Sequence, residues 1–312
     1  MSLSKVRSHR KTGPMLFDRQ RQLLALLDTL GGRAGNLDFQ KLLFLYCQEP
    51  GSPAAYEFVP YKFGAFSFTS YADRRKLIER GFLADDDQHW DLTDEGKRAA
   101  RSADAVGQKL AAFARHHQAL RGEALVAETY RRYPYYATRS EIAERVLRGD
   151  PIALQRIEDA RSAPRTAALS TIGYEGRTLE SYLNELLRAG VSLLCDVRRN
   201  PISRKYGFSK NTLAKGCDGV GIRYEHLPEL GIASEQRQSL ETQADYDALF
   251  AEYERESLPH QTRALETIRG WARAGQRVAL TCYERLPQQC HRHCVAEALE
   301  REFGRSFAAE HL

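Results

Sequence analysis

Short, almost wholly apolar runs alternate with helix-like segments in the second half of this 312-residue chain. The runs are rich in β-branched and aliphatic residues and are shorter than ordinary helices. A strand that is apolar along its whole length has to be covered on both faces, as in parallel sheets that carry helices on each side. The predicted strands are 167–173, 191–198, 223–227 and 277–282. The pattern predicts an α/β domain with a doubly wound, mostly parallel sheet.

The length and the charge distribution favour two domains with different partners. Residues 1–165 carry 27 Lys and Arg against 21 Asp and Glu, whereas the remainder carries 19 against 20. A basic excess favours a polyanion such as nucleic acid as the partner of that half. The Ser, Ala and Pro residues around 161–166 suggest a linker. The expected units are a basic arm 1–16, a winged-helix and helical domain 17–160, and the α/β domain 166–312.

The composition also indicates where the protein works. No apolar run reaches the roughly 20 residues that a membrane helix needs, so we expect no membrane contact. The basic start lacks a secretory pattern, and the six cysteines, half of them within 282–294, do not resemble a disulfide framework. We expect a cytoplasmic protein with reduced thiols. A homodimer or a protein partner is compatible with the sequence.

The first half contains helices followed by a small strand pair. Helical periodicity is seen at 18–30, 39–46 and 70–80, and Asn36 or Asp38 is placed to cap the second helix. Strands are predicted to start at Gly81 and His89, with an acidic turn between them. Helices followed by a hairpin predict a winged helix-turn-helix domain.

Three sequence blocks in this half carry a family resemblance. They are Phe39-Gln-Lys-Leu-Leu-Phe-Leu45, Tyr61-Lys-Phe-Gly-Ala-Phe-Ser67 and Trp90-Asp-Leu-Thr-Asp-Glu-Gly96. Over residues 17–105 the chain resembles Panacea-type, SocA-like antitoxins and related winged-helix domains. The resemblance implies a binding or regulatory module rather than an enzyme. The aromatic residues of 61–68 and 130–136 either stack on bases or pack in the core, and we favour the core.

The predicted strands of the second half end in polar and charged residues. Ligands of doubly wound sheets bind beyond the carboxyl ends of the strands, so these residues should converge on one crevice. The predicted catalytic residues are Asp196, Glu284, His291 and Cys282. The predicted ligand-binding residues are Gly173, Tyr174, Arg198, Arg199 and Arg292, together with Tyr206 and Lys210 from the basic, aromatic loop 199–221.

These residue types suggest acid–base chemistry on an anion. Asp196 or Glu284 is a candidate general base, and His291 is suited to proton transfer near neutral pH. Arg198 and Arg292 are candidates for a bidentate phosphate or carboxylate clamp. Cys282 or Cys290 would serve as a nucleophile. A structural ion pair beside two inert thiols remains an alternative.

A zinc site is the weaker interpretation of the cysteines. Cys290 and Cys294 are four residues apart and would share a helix face, where Cys282 could join them from the strand. The spacing matches no standard finger or ribbon. We therefore expect no metal, and the sequence identifies no cofactor.

Four ordered motifs carry a second resemblance. They are Thr171-Ile-Gly-Tyr174, Asp196-Val-Arg198, Tyr224-Glu-His-Leu-Pro-Glu-Leu-Gly231, and Cys282-Tyr-Glu284 followed by Cys290-His-Arg292. Residues 168–300 resemble the family called domain of unknown function 488. The resemblance implies an α/β fold with a shared pocket but no settled reaction. The chain departs from the commoner form at Tyr174-Glu175, where His-Ser is usual.

Two classes of function follow. In the first, the α/β domain hydrolyses or transfers a phosphate-bearing nucleotide or nucleic-acid substrate, while the winged helix docks on DNA or a partner. In the second, the protein is a ligand-sensing transcriptional regulator, or an antitoxin or defence-type interaction protein, without catalysis.

Overall fold

The computed structural model describes residues 15–50, 55–101, 107–117, 119–161, 168–237 and 240–312. The chain divides into two compact units, one made of residues up to 56 with 73–119, and one made of 57–72 with 120–312. The predicted arm 1–16 lies almost wholly outside the described residues, and so does most of the predicted border at 161–166. The predicted domain division therefore stays a prediction.

The elements up to residue 159 are α1 (Asp18–Thr29), β1 (Arg33–Gly35), α2 (Asn36–Gln48), β2 (Val59–Tyr61), β3 (Gly64–Phe66), α3 (Phe68–Glu79), β4 (His89–Asp91), α4 (Asp94–Arg101), α5 (Gly107–His116), α6 (Gly122–Arg132), α7 (Ala143–Val146) and α8 (Pro151–Asp159). The later elements are β5 (Leu169–Gly173), α9 (Leu179–Arg188), β6 (Leu193–Asp196), α10 (Lys210–Gly219), β7 (Arg223–His226), α11 (Gln243–Glu252), α12 (Thr262–Arg273), β8 (Val278–Cys282), α13 (Arg292–Phe303) and β9 (Glu310–His311).

The first unit is built on α1 and α2, whose leucines are buried except for Leu37. The ring of Phe39 lies 4.6 Å from that of the buried Trp90. The buried carboxylate of Asp73 accepts hydrogen bonds from Gln20 and Tyr56 at 2.8 and 3.1 Å. Because a buried carboxylate is costly unless it is paired, these contacts fix α3 against the start of α1 within this unit.

The predicted strand pair of the winged helix differs from what the structure contains. β4 pairs antiparallel with β1, and Leu83 and Leu92 form only an isolated bridge. β1 follows the turn at Gly31 and Gly32 and is too short and polar to show an alternating pattern. The predicted pairing is therefore present only as this antiparallel bridge, with β1 as an unpredicted partner of β4, and the winged helix-turn-helix assignment stays a prediction.

The second unit contains a five-stranded parallel sheet in the order β7-β6-β8-β5-β9. The four predicted strands are present, and their parallel arrangement is confirmed. β9 adds a two-residue edge strand beside β5 that the sequence did not reveal. Among the described residues, no helix has the length and apolar character needed to cross a membrane.

Apolar clusters cover both faces of this sheet. Leu193 and Cys195 of β6 belong to a cluster that includes apolar residues of α11, α12 and α13. Leu194 faces the opposite way, into a cluster with α9 and α10. This alternation along a fully buried strand is what the apolar runs predicted.

Aromatic residues of 61–68 pack within the second unit. The ring of Phe66 lies 4.7 Å from that of Tyr61 and 5.0 Å from that of Phe68. The carboxylate of Glu180 on α9 accepts hydrogen bonds from the Ser67 hydroxyl and from the Thr69 amide and hydroxyl. These contacts favour core packing over base stacking for this segment.

Candidate functional site

The carboxyl ends of the strands meet at one edge of the sheet. Gly173 pairs with Cys282, and Asp196 lies between Thr281 and His226. An α-carbon substituent on Gly173 would stand 1.8 Å from the Glu284 carbonyl oxygen, so only glycine allows the loop after β8 to lie against β5. The close approach gives Gly173 a packing role at this edge.

Asp196 and Arg198 form a buried bidentate ion pair. The Nε and Nη2 atoms of Arg198 donate to the two carboxylate oxygens of Asp196 at 2.8 and 2.5 Å. The Arg198 amide and the Tyr224 hydroxyl donate to the same carboxylate at 3.1 and 2.6 Å. With four donors around a fully buried group, Asp196 is arranged to hold Arg198 in place rather than to accept a substrate proton.

The pKa shifts around this pair agree with that role. Burial lowers the pKa of the Arg198 guanidinium, but the hydrogen bonds and charge of Asp196 raise it more, so the net shift is upward. Burial raises the pKa of the Tyr224 hydroxyl, and the charge of Asp196 raises it further. Both donors therefore keep their protons across the physiological range.

Tyr174 directly follows β5 at this edge of the sheet. Its ring stacks on Phe208 at 4.3 Å, and its hydroxyl oxygen accepts a hydrogen bond from Arg198 Nη1 at 2.9 Å. The Lys205 ammonium donates to the Tyr174 carbonyl at 3.2 Å. Tyr174 therefore helps to orient Arg198.

A cationic crevice of about 290 Å³ opens beside these residues. We call it the arginine crevice; its lining residues are Tyr174, Arg198, Arg199, Asn200, Ile202, Ser203, Arg204, Ile232, Arg237 and Tyr283. Arg198 and Arg237 are paired with carboxylates. Exposed Arg199 and Arg204 have no carboxylate partner anywhere in the part of the chain that the structure describes. Four guanidinium groups on one small crevice give it a positive field.

A second group, which we call the thiol cluster, consists of Cys282, Cys290 and His291. Their ligand atoms all lie within 4.8 Å of one another, and all three residues are buried. His291 Nε2 lies 3.0 Å from the Val197 carbonyl oxygen, and His291 Nδ1 lies 3.8 Å from Cys282 Sγ. The carbonyl contact requires a proton on Nε2, so Nδ1 faces the sulfur atoms. The cluster could hold a soft metal ion or a reactive thiolate.

The two cysteines of the thiol cluster differ in acidity. Burial raises the pKa of Cys290, but hydrogen bonds from Cys282 and His291, with the charges of His291 and Arg292, lower it well below its ordinary value. The hydrogen bond to Cys290 and burial raise the pKa of Cys282 well above the ordinary value. Of the two thiols, Cys290 is therefore the more acidic, and not Cys282, the predicted catalytic cysteine.

Glu284 lies between the thiol cluster and the arginine crevice. Its Oε1 atom accepts a hydrogen bond from Arg237, and its Oε2 atom lies 3.4 Å from Cys282 Sγ. Burial and the charge of Cys290 raise the pKa of Glu284 to about 7, while Arg237 opposes the rise. Both predicted carboxylates pair with an arginine of the crevice: Asp196 with Arg198, and Glu284 with Arg237.

Arg292 was predicted to bind an anion, but its guanidinium group is engaged by backbone carbonyls instead. Its Nη1 and Nη2 atoms donate to the carbonyls of Glu284 and Arg285 at 2.6 and 3.0 Å. The residue is 1% exposed, so its guanidinium is buried against backbone. Arg292 thus holds the loop after β8 in place.

Other predicted residues lie outside the arginine crevice. The Tyr206 hydroxyl donates to the Phe68 carbonyl, and Lys210 Nζ lies 3.1 Å from His226 Nδ1. Cys294 Sγ lies 3.5 Å from His293 Nε2, on α13. None of the three is among the crevice-lining residues described above.

Seven of the ten lining residues were missing from the predicted set, and the cationic or aromatic ones among them are Arg204, Arg237 and Tyr283. Arg204 lies in the basic loop 199–221, which already indicated anion binding. Tyr283 stands between the predicted Cys282 and Glu284. Arg237 carries no sequence signal, because it lies in a polar segment far along the chain from the residues that it meets.

One family model matches a part of the second unit. No curated protein matches the chain. Residues 178–299 match the sequence model of the family described as Domain of unknown function DUF488, a range that includes Asp196, Arg198 and the stretch from Cys282 to Arg292.

Proposed function

We propose that the second unit binds a phosphate-bearing ligand in the arginine crevice. The observation that carries the proposal is the pair of exposed guanidinium groups, Arg199 and Arg204, which face the crevice without a carboxylate partner among the described residues. Guanidinium groups bind phosphate through two parallel hydrogen bonds. The crevice also lies beyond the carboxyl ends of a parallel sheet, the usual ligand position in such folds.

A nucleotide is the ligand class that the crevice suits best. The Tyr283 side chain lines the crevice and is 44% exposed, so its ring is free to stack on a base. The centroids of the Tyr283 and Tyr174 rings lie 5.3 Å apart in an edge-to-face arrangement, which limits the orientation of the Tyr283 ring. In a bound nucleotide, the base would stack on Tyr283 and the phosphate would accept hydrogen bonds from Arg199 and Arg204.

We further propose that the unit hydrolyses or transfers the phosphate-bearing group, with Glu284 as the general base. Arg237 links the Glu284 carboxylate to the crevice, whereas Asp196 is fully occupied by its four donors. The alternative is a ligand-sensing regulator without turnover. The two are separated by Glu284→Gln, which should keep ligand affinity and lose turnover if the residue is the base.

Ligand titration calorimetry with adenosine 5′-monophosphate, adenosine and inorganic phosphate tests the binding proposal. Charge-assisted hydrogen bonds contribute about 1.5–3 kcal/mol, and solvent exposure of these arginines favours the lower end, near tenfold in affinity. Arg199→Gln and Arg204→Gln should each weaken the monophosphate by about tenfold. Arg273→Gln, on the exposed end of α12, is the matched control and should bind as the unaltered protein does.

Three results would contradict the binding proposal. They are the absence of measurable monophosphate binding, equal affinity for adenosine and its monophosphate, and equal losses in the Arg204 and Arg273 variants. Nucleic-acid binding by residues 1–165 stays a separate proposal. Its test is the salt dependence of DNA affinity, which should be steep if lysines and arginines neutralise phosphates.

A further inference from the structure

We propose that Cys282, Cys290 and His291 bind a divalent transition-metal ion of the zinc class. This site is separate from the arginine crevice and does not depend on the proposed phosphate binding. The three ligand atoms lie within 4.8 Å of one another, and the residues are 0, 1 and 2% exposed. Two sulfurs and one imidazole form a donor set that suits zinc, with a fourth position left for another ligand.

The spacing of the donor atoms fits tetrahedral coordination. Zinc–sulfur bonds of about 2.3 Å and zinc–nitrogen bonds of about 2.0–2.1 Å place sulfur and nitrogen roughly 3.6 Å apart at a tetrahedral angle. Cys282 Sγ and His291 Nδ1 are separated by 3.8 Å. A contraction of a few tenths of an ångström would bring these two atoms onto one ion.

The imidazole of His291 is already oriented as a metal ligand. Its Nε2–H donates to the Val197 carbonyl oxygen at 3.0 Å, which fixes the ring with Nδ1 facing the sulfur atoms, where a metal ion would replace a proton. Metal-binding histidines commonly donate their second nitrogen to a carbonyl or carboxylate in this way. Val197 directly follows β6, so the sheet itself positions the ring.

The charges of the surroundings suit a dication. Two thiolates would neutralise the ion, and Glu284 and Arg237 neutralise each other, while the nearby Arg292 guanidinium is held by the Glu284 and Arg285 carbonyls. Glu284 Oε2 is 3.4 Å from Cys282 Sγ, so the carboxylate borders the cluster without belonging to its set of three mutually close donors.

This set differs from the cysteines that the sequence suggested for zinc. The prediction placed Cys290 and Cys294 on one helix face, but α13 begins at Arg292 and Cys290 has an extended φ of −143°. The helical i, i+4 rule does not apply to a residue outside the helix. Cys294 packs in the apolar cluster on α13, and His291 takes its place.

Metal analysis of the full-length protein tests the proposal. The protein is purified with reductant and without chelator, its zinc content is measured by mass spectrometry, and the metal-free form is titrated with Co²⁺. We expect one equivalent of metal and a cobalt spectrum with thiolate charge-transfer bands and tetrahedral d–d bands. Cys290→Ser and His291→Gln should lose both. Cys294→Ser, which removes a buried thiol four residues away, should keep both.

Circular dichroism and thermal melting show whether each variant is folded. If the variants are unfolded, the metal content and cobalt spectrum of the unaltered protein decide the question. Failure of the reduced, folded protein to bind Zn²⁺ or Co²⁺ overturns the proposal. Equal metal loss in the Cys294 and Cys290 variants overturns it as well. So does a disulfide between Cys282 and Cys290 that persists in reductant.

Discussion

Replacing Asp196 with alanine should destabilise the second unit strongly. The change removes the acceptor of four hydrogen bonds and leaves the Arg198 guanidinium buried without its counterion. The side chains of Arg198 and Asp196 are 6 and 0% exposed, so water cannot replace the lost carboxylate without opening the site. The change thus isolates a buried charge.

The expected loss follows from the geometry of the pair. Removing one partner of a buried ion pair costs about 3–5 kcal/mol. Arg198 would keep its bonds to the Tyr174 hydroxyl and the Phe208 carbonyl, which favours the middle of that range, about 4 kcal/mol. For a unit of this size the melting temperature should fall by roughly 8–16 °C. Tyr224→Phe removes one of the four donors and should cost about 1–2 kcal/mol.

Urea unfolding followed by tryptophan fluorescence measures this loss. The protein has two tryptophans, Trp90 in the first unit and Trp271 in the second. In a Trp90→Phe background the signal comes from Trp271 alone, and every variant is compared in that background. Asp218→Ala, which removes an exposed carboxylate from α10, is the matched control and should change stability by less than about 0.5 kcal/mol.

The reasoning would be refuted if Asp196→Ala cost less than about 1 kcal/mol, which is the range of an exposed ion pair. Loss of turnover with full stability would also refute it, because it would identify Asp196 as a reacting group rather than the residue that holds Arg198 in place.

Two further predictions concern packing and pH. Gly173→Ala should cost more than about 3 kcal/mol in thermal unfolding because its new carbon would clash with the Glu284 carbonyl, whereas Gly270→Ala, in the open interior of α12, should gain about 1 kcal/mol. Burial raises the pKa of Glu180 above its ordinary 4.5, so the stabilising effect of its proton is complete below that value and is lost as the pH rises through the raised pKa. The melting temperature of Glu180→Gln should therefore rise relative to that of the unaltered protein as the pH rises through this window. A pH-independent difference between the two melting temperatures would contradict the assignment.

The sequence predicted the strands whose burial is uniform. β5 and β8 are buried along their whole length because both faces are covered, and their mainly apolar, uncharged residues are visible in the sequence. β9 and β1 are short and largely polar, and each exists because a neighbouring edge is available to pair with. Pairing of that kind depends on the rest of the fold, which the local sequence does not contain.

The location of the site was also predictable, but the role of its residues was not. The carboxyl ends of parallel strands lie at the same edge of a sheet. Asp196 at the end of β6 and Glu284 after β8 were therefore expected at that edge. Whether either carboxylate is free depends on partners. Arg198 folds back onto Asp196 from two residues away, and Arg237 reaches Glu284 from another segment of the chain.

The two oxygens of Glu284 explain how one carboxylate can serve two sites. Oε1 accepts from Arg237, which lines the arginine crevice, and Oε2 faces Cys282 in the thiol cluster. The proposed phosphate would be bound by Arg204, which is not a member of the thiol cluster, and the proposed metal would be bound by Cys290, which does not line the crevice. Changes at Arg204 and Cys290 therefore test the two proposals separately, whereas Glu284 adjoins both sites, so a change there reports on turnover in the crevice and on the surroundings of the metal together.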